Sequence, residues 1–249
     1  MKIKKVAIIG GGTAGWLAAN HLGLELSADP DIDITLIESS AINSIGVGEG
    51  TVPFIKQTLK KFGISEAELI ASCDVSFKQG IKFIDWLDPE YAGENNYYYH
   101  PFASPYPQGI DLTEYIIQSN RSFSDVTEIV AIAESCKSPK KISSLPFEGL
   151  VDYAYHFNAA KFASLLAKNA VERFNIKHRI ATVIGATKND DGNINALVFD
   201  GGLTESYDFY VDCSGFQSLL IDTHLSVPFL SQSHRLFTNT ALVQQVPLK

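Results

Sequence analysis

Strand and helix patterns that alternate along 249 residues predict an α/β fold, a doubly wound parallel sheet with an inserted subregion. Three observations carry this prediction. An apolar run, Val6–Ile9, ends in Gly10-x-Gly12-x-x-Gly15, and a helical pattern follows at once. A second strand pattern, Ile32–Glu38, closes on an acid. A third, Ser206–Cys213, lies far downstream and runs into Asp212-Cys-Ser-Gly215.

The glycine spacing is a dinucleotide-binding fingerprint, and each glycine has a physical task. Gly10 permits a tight turn out of the strand. Gly12 lets backbone approach a pyrophosphate because no Cβ intervenes. Gly15 allows the helix to lie close on the strand. Thr13 and Ala14 open that helix, whose free N–H groups meet phosphate charge. Glu38 follows the glycines by roughly 20 residues, the place for a carboxylate that accepts from a ribose hydroxyl.

The remaining elements follow in order. Thr13–Leu26 is a helix, ended by Asp29-Pro30-Asp31. Gly46-Val47-Gly48-Glu49-Gly50 is a glycine loop suited to lie against a ligand. Phe54–Phe62 is a helix with Gly63 as its cap, and Ser65 starts another with an acidic first turn. Ser76–Trp86 has strand character, which would put Lys78 and Lys82 on one face. Asp88–Gly109 holds loops and short strands. Leu112–Asn120 and Ser124–Ser135 are helical. Tyr153, Tyr155 and His156 support the inserted region. Asn158 caps a helix that runs to Arg173. Lys177–Ile184 and Ile194–Asp200 are strands joined through the hairpin signal Asn189-Asp-Asp-Gly192. The expected organisation is one domain over 1–249 with an insertion at about 85–150.

Composition removes several function classes. A hydrophobic share of 45% supplies ample core. A net charge of -8 with no basic patch argues against nucleic acid. The three cysteines, Cys73, Cys136 and Cys213, have neither metal-ligand spacing nor a disulfide pattern. The apolar segment Val6–Ile9 is too short for a membrane span, and the N-terminus has no signal-peptide layout. The expected location is the cytoplasm, with no metal.

Two observations favour FAD over NAD. Val211-Asp212-Cys213-Ser214-Gly215 stands after a hairpin, the order of a glutathione-reductase-like FAD domain, where an acid beside a late glycine approaches the ribityl or pyrophosphate. No second GxGxxG unit follows that would hold a nicotinamide cofactor.

Six segments in the same order resemble the flavin-dependent tryptophan halogenase family: Gly10–Trp16, Gly46–Pro53, Ser76–Trp86, Tyr99–Phe102, Tyr153–Phe157 and Asp212–Leu220. The resemblance implies an oxidoreductase that uses reduced FAD, O₂ and chloride or bromide. A flavin hydroperoxide would give hypohalous acid, which a tunnel would carry to a lysine that presents the halogen to tryptophan, an indole or another aromatic ring. Motif matching makes that lysine Lys78. An ammonium can donate to the developing hydroxide, and a desolvated neutral amine can carry the halogen itself. His100 and Phe102 match the substrate box, with planar walls on which an indole can stack. The loop through Gly46, Val47, Gly48 and Glu49 matches the family's flavin strap. A separate flavin reductase is the expected partner.

The sequence departs from the family pattern in stopping at Lys249, before the later Trp-x-Trp-x-Ile-Pro signature and the later glutamate. It is expected to be an N-terminal portion of a larger enzyme or a truncated gene product, with apolar surface that favours association, a homodimer included. An aromatic hydroxylase and a non-catalytic FAD-binding fragment are the alternatives.

Overall fold

A computed structural model describes residues 2–26, 28–42, 48–93, 96–104 and 106–242. In chain order its elements are β1 (Lys5–Ile9), α1 (Thr13–Leu26), β2 (Asp33–Glu38), β3 (Glu49–Gly50), α2 (Ile55–Phe62), α3 (Glu66–Ser72), β4 (Ser76–Lys78), β5 (Gly80–Ile84), α4 (Pro89–Ala92) and β6 (Tyr97–Pro101). They continue with α5 (Thr113–Ser119), α6 (Glu128–Glu134), β7 (Ala154–Phe157), α7 (Ala159–Phe174), β8 (Lys177–Ile180), β9 (Val183–Lys188), β10 (Ile194–Phe199), β11 (Thr204–Glu205) and β12 (Phe209–Asp212). The chain divides into two compact units, one formed up to Gly48 and again from Asn158, the other Glu49–Phe157.

The first unit is built on a parallel sheet in the order β12-β1-β2-β8. β1 is buried at Val6, Ala7, Ile8 and Ile9, as a strand covered on both faces must be. Its register places Ile9 beside both Ile37 and Asp212, so three carboxyl ends lie level. The chain leaves β1 toward β2 on one side and returns much later as β12 on the other. That reversal is a topological switch point, where α/β sheets take ligands.

Helices α1 and α7 are joined by a buried amide. Asn20 Nδ2 donates to Trp16 O at 2.8 Å and Leu166 O at 2.9 Å. Such a group would be costly if unpaired, so the bonds fix the two helices together. α1 has the predicted bounds, and Asn158 caps α7 by accepting from Lys161 N at 3.1 Å. An antiparallel sheet, β11-β10-β9, adds Leu197 and Phe199 to a core with Ala7, Ile9 and Ile37.

The single strand predicted over Lys177–Ile184 is two strands. β8 joins the parallel sheet, and after Ala181-Thr182 the chain enters the antiparallel one as β9. The predicted hairpin does join β9 to β10, with Gly192 at φ +80°.

The second unit holds the sheet β3-β7-β4 and the hairpin β5-β6. Here the strand predicted over Ser76–Trp86 breaks at Gln79. β4 pairs with β7, whereas β5 pairs with β6. The helix predicted over Ser124–Ser135 is a 3₁₀ turn, Phe123–Val126, followed by α6, with extended backbone at Thr127 between them. Gly63 ends α2 in the left-handed region, and Ser65 Oγ caps α3 by accepting from Glu68 N.

Glu66 organises this unit. It is 4% exposed and accepts from Phe147 N at 2.7 Å, Tyr153 OH at 2.6 Å, Tyr155 OH at 2.8 Å and Lys140 Nζ. Burial pushes its carboxyl up, but the four donors outweigh burial and hold it below its ordinary value. Burial and the adjacent carboxylate push both tyrosine hydroxyls far up, so they remain donors. The strand alternation of β7 therefore sends Tyr155 to the Glu66 side and leaves Ala154 and His156 for the other face.

Candidate active site

The carboxyl ends of β1, β2 and β12 form a candidate site of the first unit. Gly10 has φ +113°, and a Cβ there would stand 2.2 Å from Cys213 O. A Cβ on Gly15 would meet Gly10 O at 1.9 Å. Both glycines are thus required by backbone on backbone contact. The helical ladder of α1 begins with Trp16 N to Gly12 O at 3.1 Å. The N–H groups of Thr13, Ala14 and Gly15 lie ahead of it, where an anion is favoured. These features fit a dinucleotide pyrophosphate.

Glu38 ends β2 with its carboxylate over Gly11, and its Oε1 accepts from His178 Nε2 at 2.6 Å. Asp212 is occupied by its own turn. One oxygen accepts from Ser214 N at 3.1 Å and Ser214 Oγ at 2.5 Å, the other from Leu220 N at 2.7 Å and Ile221 N at 3.2 Å. Burial raises its carboxyl, and these bonds more than offset the rise. Gly215 follows at φ +67°. Gly46 and Val47 of the predicted strap lie outside the described residues. Gly48 is described, and Glu49 pairs with Phe157 at the start of β3.

A separate candidate site lies wholly within Glu49–Phe157. A cleft of about 530 Å³ is lined by Lys78, Gln79, Lys82, Tyr99 and His156, with Ile129 and neighbours of α6 opposite. Lys78 is half-buried on β4, opposite Ala154 of β7. Its Nζ is 5.5 Å from the Phe102 ring centroid. A Cβ on Gly50 would lie 3.3 Å from both Lys78 Nζ and His156 Nδ1. Partial desolvation, and then the Lys78 charge, lower the pKa of His156, which keeps it neutral at pH 7.

Lys82 is engaged elsewhere. Its Nζ pairs with Glu134 Oε1 at 2.8 Å and lies 4.4 Å from the Tyr97 ring centroid. Lys78 has no ion pair or hydrogen bond among the described residues. The break at Gln79 thus gives the two lysines different strands and different partners, a distinction that regular strand parity hides.

The two residues matched to the substrate box are placed differently. Phe102 is 8% exposed and packs with Ile129 and Ala154, its ring turned edge-on to His100 at 6.3 Å. His100 is exposed. Neither lines the cleft, whereas their neighbours Tyr99 and Pro101 do. Sequence reasoning gave His156 a supporting role and read Glu66 as a helix-start acid. The one signal for the Glu66 cluster is the alternation Tyr153-x-Tyr155.

A family model described as tryptophan halogenase matches residues 5–249. The chain belongs to the tryptophan halogenase family. It is 34% identical to a tryptophan 7-halogenase of Lentzea aerocolonigenes over 99% of this chain and 49% of that protein. It is 33% identical to a tryptophan 6-halogenase of Streptomyces albogriseolus, with the same coverage. Among solved structures, a tryptophan halogenase from Shewanella frigidimarina superposes with TM-score 0.86 at 38% identity, over 94% of this chain and 47% of that one. The chain therefore spans about half the length of the curated relatives it matches. Among the described residues no helix is long and apolar enough to cross a membrane.

Proposed function

We propose that this chain supplies the flavin site and the halogen-transferring lysine of an FADH₂-dependent halogenase that acts on tryptophan, an indole or another electron-rich ring. The observation that carries the proposal is the amine of Lys78, on a cleft wall beside a neutral histidine, while the neighbouring Lys82 is tied to Glu134. Gly10, Gly12, Thr13, Ala14 and Gly15 would hold the pyrophosphate, with Glu38 on the ribose side. Asp212 would shape the turn that carries Gly215, since its oxygens already serve Ser214, Leu220 and Ile221.

When bound, the reduced flavin supplies, with O₂, the oxidising equivalents that turn a halide ion into hypohalous acid. Lys78 then acts in one of two balanced ways. As an ammonium it donates a hydrogen bond to the hypohalous oxygen, which leaves as water once the ring has taken the halogen and lost its proton. As a neutral amine it would exchange its N–H and the O–X bond for N–X and water, and the ring would then take the halogen from nitrogen and return its own proton there. Phe102 and Gly50 limit where Nζ can stand. His156 adds no second charge that would repel the ammonium.

The complete protein, given a flavin reductase, bromide or chloride, O₂ and a panel of indoles, is expected to give a product with a halogen isotope pattern. Lys78→Met is expected to abolish that product while flavin still binds. A hydroxylated product made without halide would overturn the proposal.

A further inference from the structure

Glu38 is held by a histidine of the neighbouring strand. β2 and β8 run parallel, with Leu36 beside His178 and Glu38 beside Ile180. Alternation puts Leu36 and Glu38 on one face, so Glu38 and His178 project to the same side of the sheet. Trp16 of α1 is on that side too, and its buried ring meets the His178 ring at 4.9 Å between centroids, with planes 79° apart. Arg179, one residue on, turns instead to Glu205 and the Phe199 ring. An ionised carboxylate only accepts, so the 2.6 Å contact with Glu38 Oε1 places a hydrogen on His178 Nε2. The main chain of Glu38 is anchored as well, since its carbonyl accepts from Ala181 N at 2.9 Å. With Oε1 engaged, Oε2 lies against Gly11, where a Cβ would stand 1.5 Å from it. Oε2 has no donor among the described residues, and the side chain is 26% exposed, so a ligand over the glycine turn can reach it.

We propose that His178 is a positioning residue for the cofactor's adenosine ribose: its Nε2–H holds one oxygen of Glu38 so that the other, Oε2, is presented to a ribose hydroxyl. The inference rests on the reading that Glu38 stands on the ribose side of bound FAD. It adds what keeps that carboxylate in place. A loose glutamate loses rotamer freedom when it takes up one pose, and a side chain already held loses less. Trp16 fixes the imidazole in turn, so order passes from helix to histidine to carboxylate.

The test measures competition with FAD, on the complete protein, by ADP, 2′-deoxy-ADP and 3′-deoxy-ADP. His178 is one-third exposed on the edge strand of its sheet, so the fold should tolerate its replacement. Wild type is expected to prefer ADP to at least one deoxy analogue by about tenfold, the size of one hydrogen bond to a charged group. His178→Phe keeps a ring against Trp16 but has no donor, and is expected to lose most of that preference. His178→Gln can still donate to Glu38 and is expected to retain it. In a Glu38→Ala background His178→Phe is expected to change ADP binding no further, because it acts through the carboxylate. A wild-type preference that survives in His178→Phe overturns the assignment. Loss in both histidine variants alike also overturns it, by tying the effect to the packing of the ring. So does a further loss of ADP binding in the Glu38→Ala background. No preference in wild type, with ADP still competing, defeats the reading of Glu38 itself and takes the inference with it.

Discussion

Lys78 Nζ and His156 Nδ1 converge over Gly50, each 3.3 Å from the point where a Cβ on that glycine would lie. The two side chains come from neighbouring antiparallel strands, β4 and β7, and the glycine from β3 on the far side of β7. A small residue at position 50 is thus a condition for the amine and the imidazole to share one space. Gly50→Ala should test this. The atoms it would crowd are side-chain tips that can move, so the melting temperature should change little. Product formation should fall about tenfold or more, as expected when a reacting group is displaced by a fraction of an ångström. Equal turnover in wild type and variant would remove the arrangement from the mechanism.

The two lysines of the cleft should separate by mutation. Lys82→Met removes an exposed pair with Glu134, which contributes about 1 kcal/mol or less. Lys82→Met should therefore melt close to wild type and still give halogenated product, whereas Lys78→Met should give none. The comparison of product yields in matched assays checks it. The reverse ranking would move the halogen-transferring role from β4 to β5.

Glu66 should dominate the acid sensitivity of the unit Glu49–Phe157. Its folded pKa lies below the ordinary 4.5. The stability it contributes is therefore full above about pH 4.5 and is lost as pH falls through the folded value, because the unfolded chain binds the proton first. Glu66→Gln leaves Lys140 without its buried partner and should cost about 3 kcal/mol at pH 7. Thermal melts from pH 7 to pH 3 should show the gap between wild type and variant narrowing. A gap that does not depend on pH would mean that charge is not what Glu66 contributes.

At the proposed dinucleotide site Gly10→Ala should be severe. The substitution meets both an unfavourable φ of +113° and the Cys213 carbonyl at 2.2 Å. Flavin affinity, followed by fluorescence quenching, should fall more than tenfold, with a loss of about 2 kcal/mol or more in stability. Near-normal affinity would show that the loop can shift and that the close approach is not needed.

Much of this fold is legible in the residues because local chemistry decides it. α1 follows directly from glycines that permit a turn and from the helical pattern behind them. Asn158, Gly63 and Gly192 mark their boundaries for the same kind of reason, a cap or a positive φ. The breaks at Gln79 and Ala181-Thr182 leave no such mark. The choice of pairing partner, β7 or β6, β2 or β10, divides the strands. Glu66 is hidden for another reason. Its partners Lys140 and Tyr155 are 74 and 89 residues away, so nothing near it in the chain announces its burial. The motif singles out Lys78, but its difference in partners from Lys82 belongs to tertiary structure alone.

The most direct measurement is the mass spectrum of the product from a reductase-coupled reaction in bromide, run side by side with wild type and Lys78→Met. The wild-type protein should give the bromine isotope doublet on the aromatic substrate, and the variant only unreacted substrate despite bound flavin. The same doublet at equal yield from both proteins would contradict a halogen handed over by the amine of residue 78.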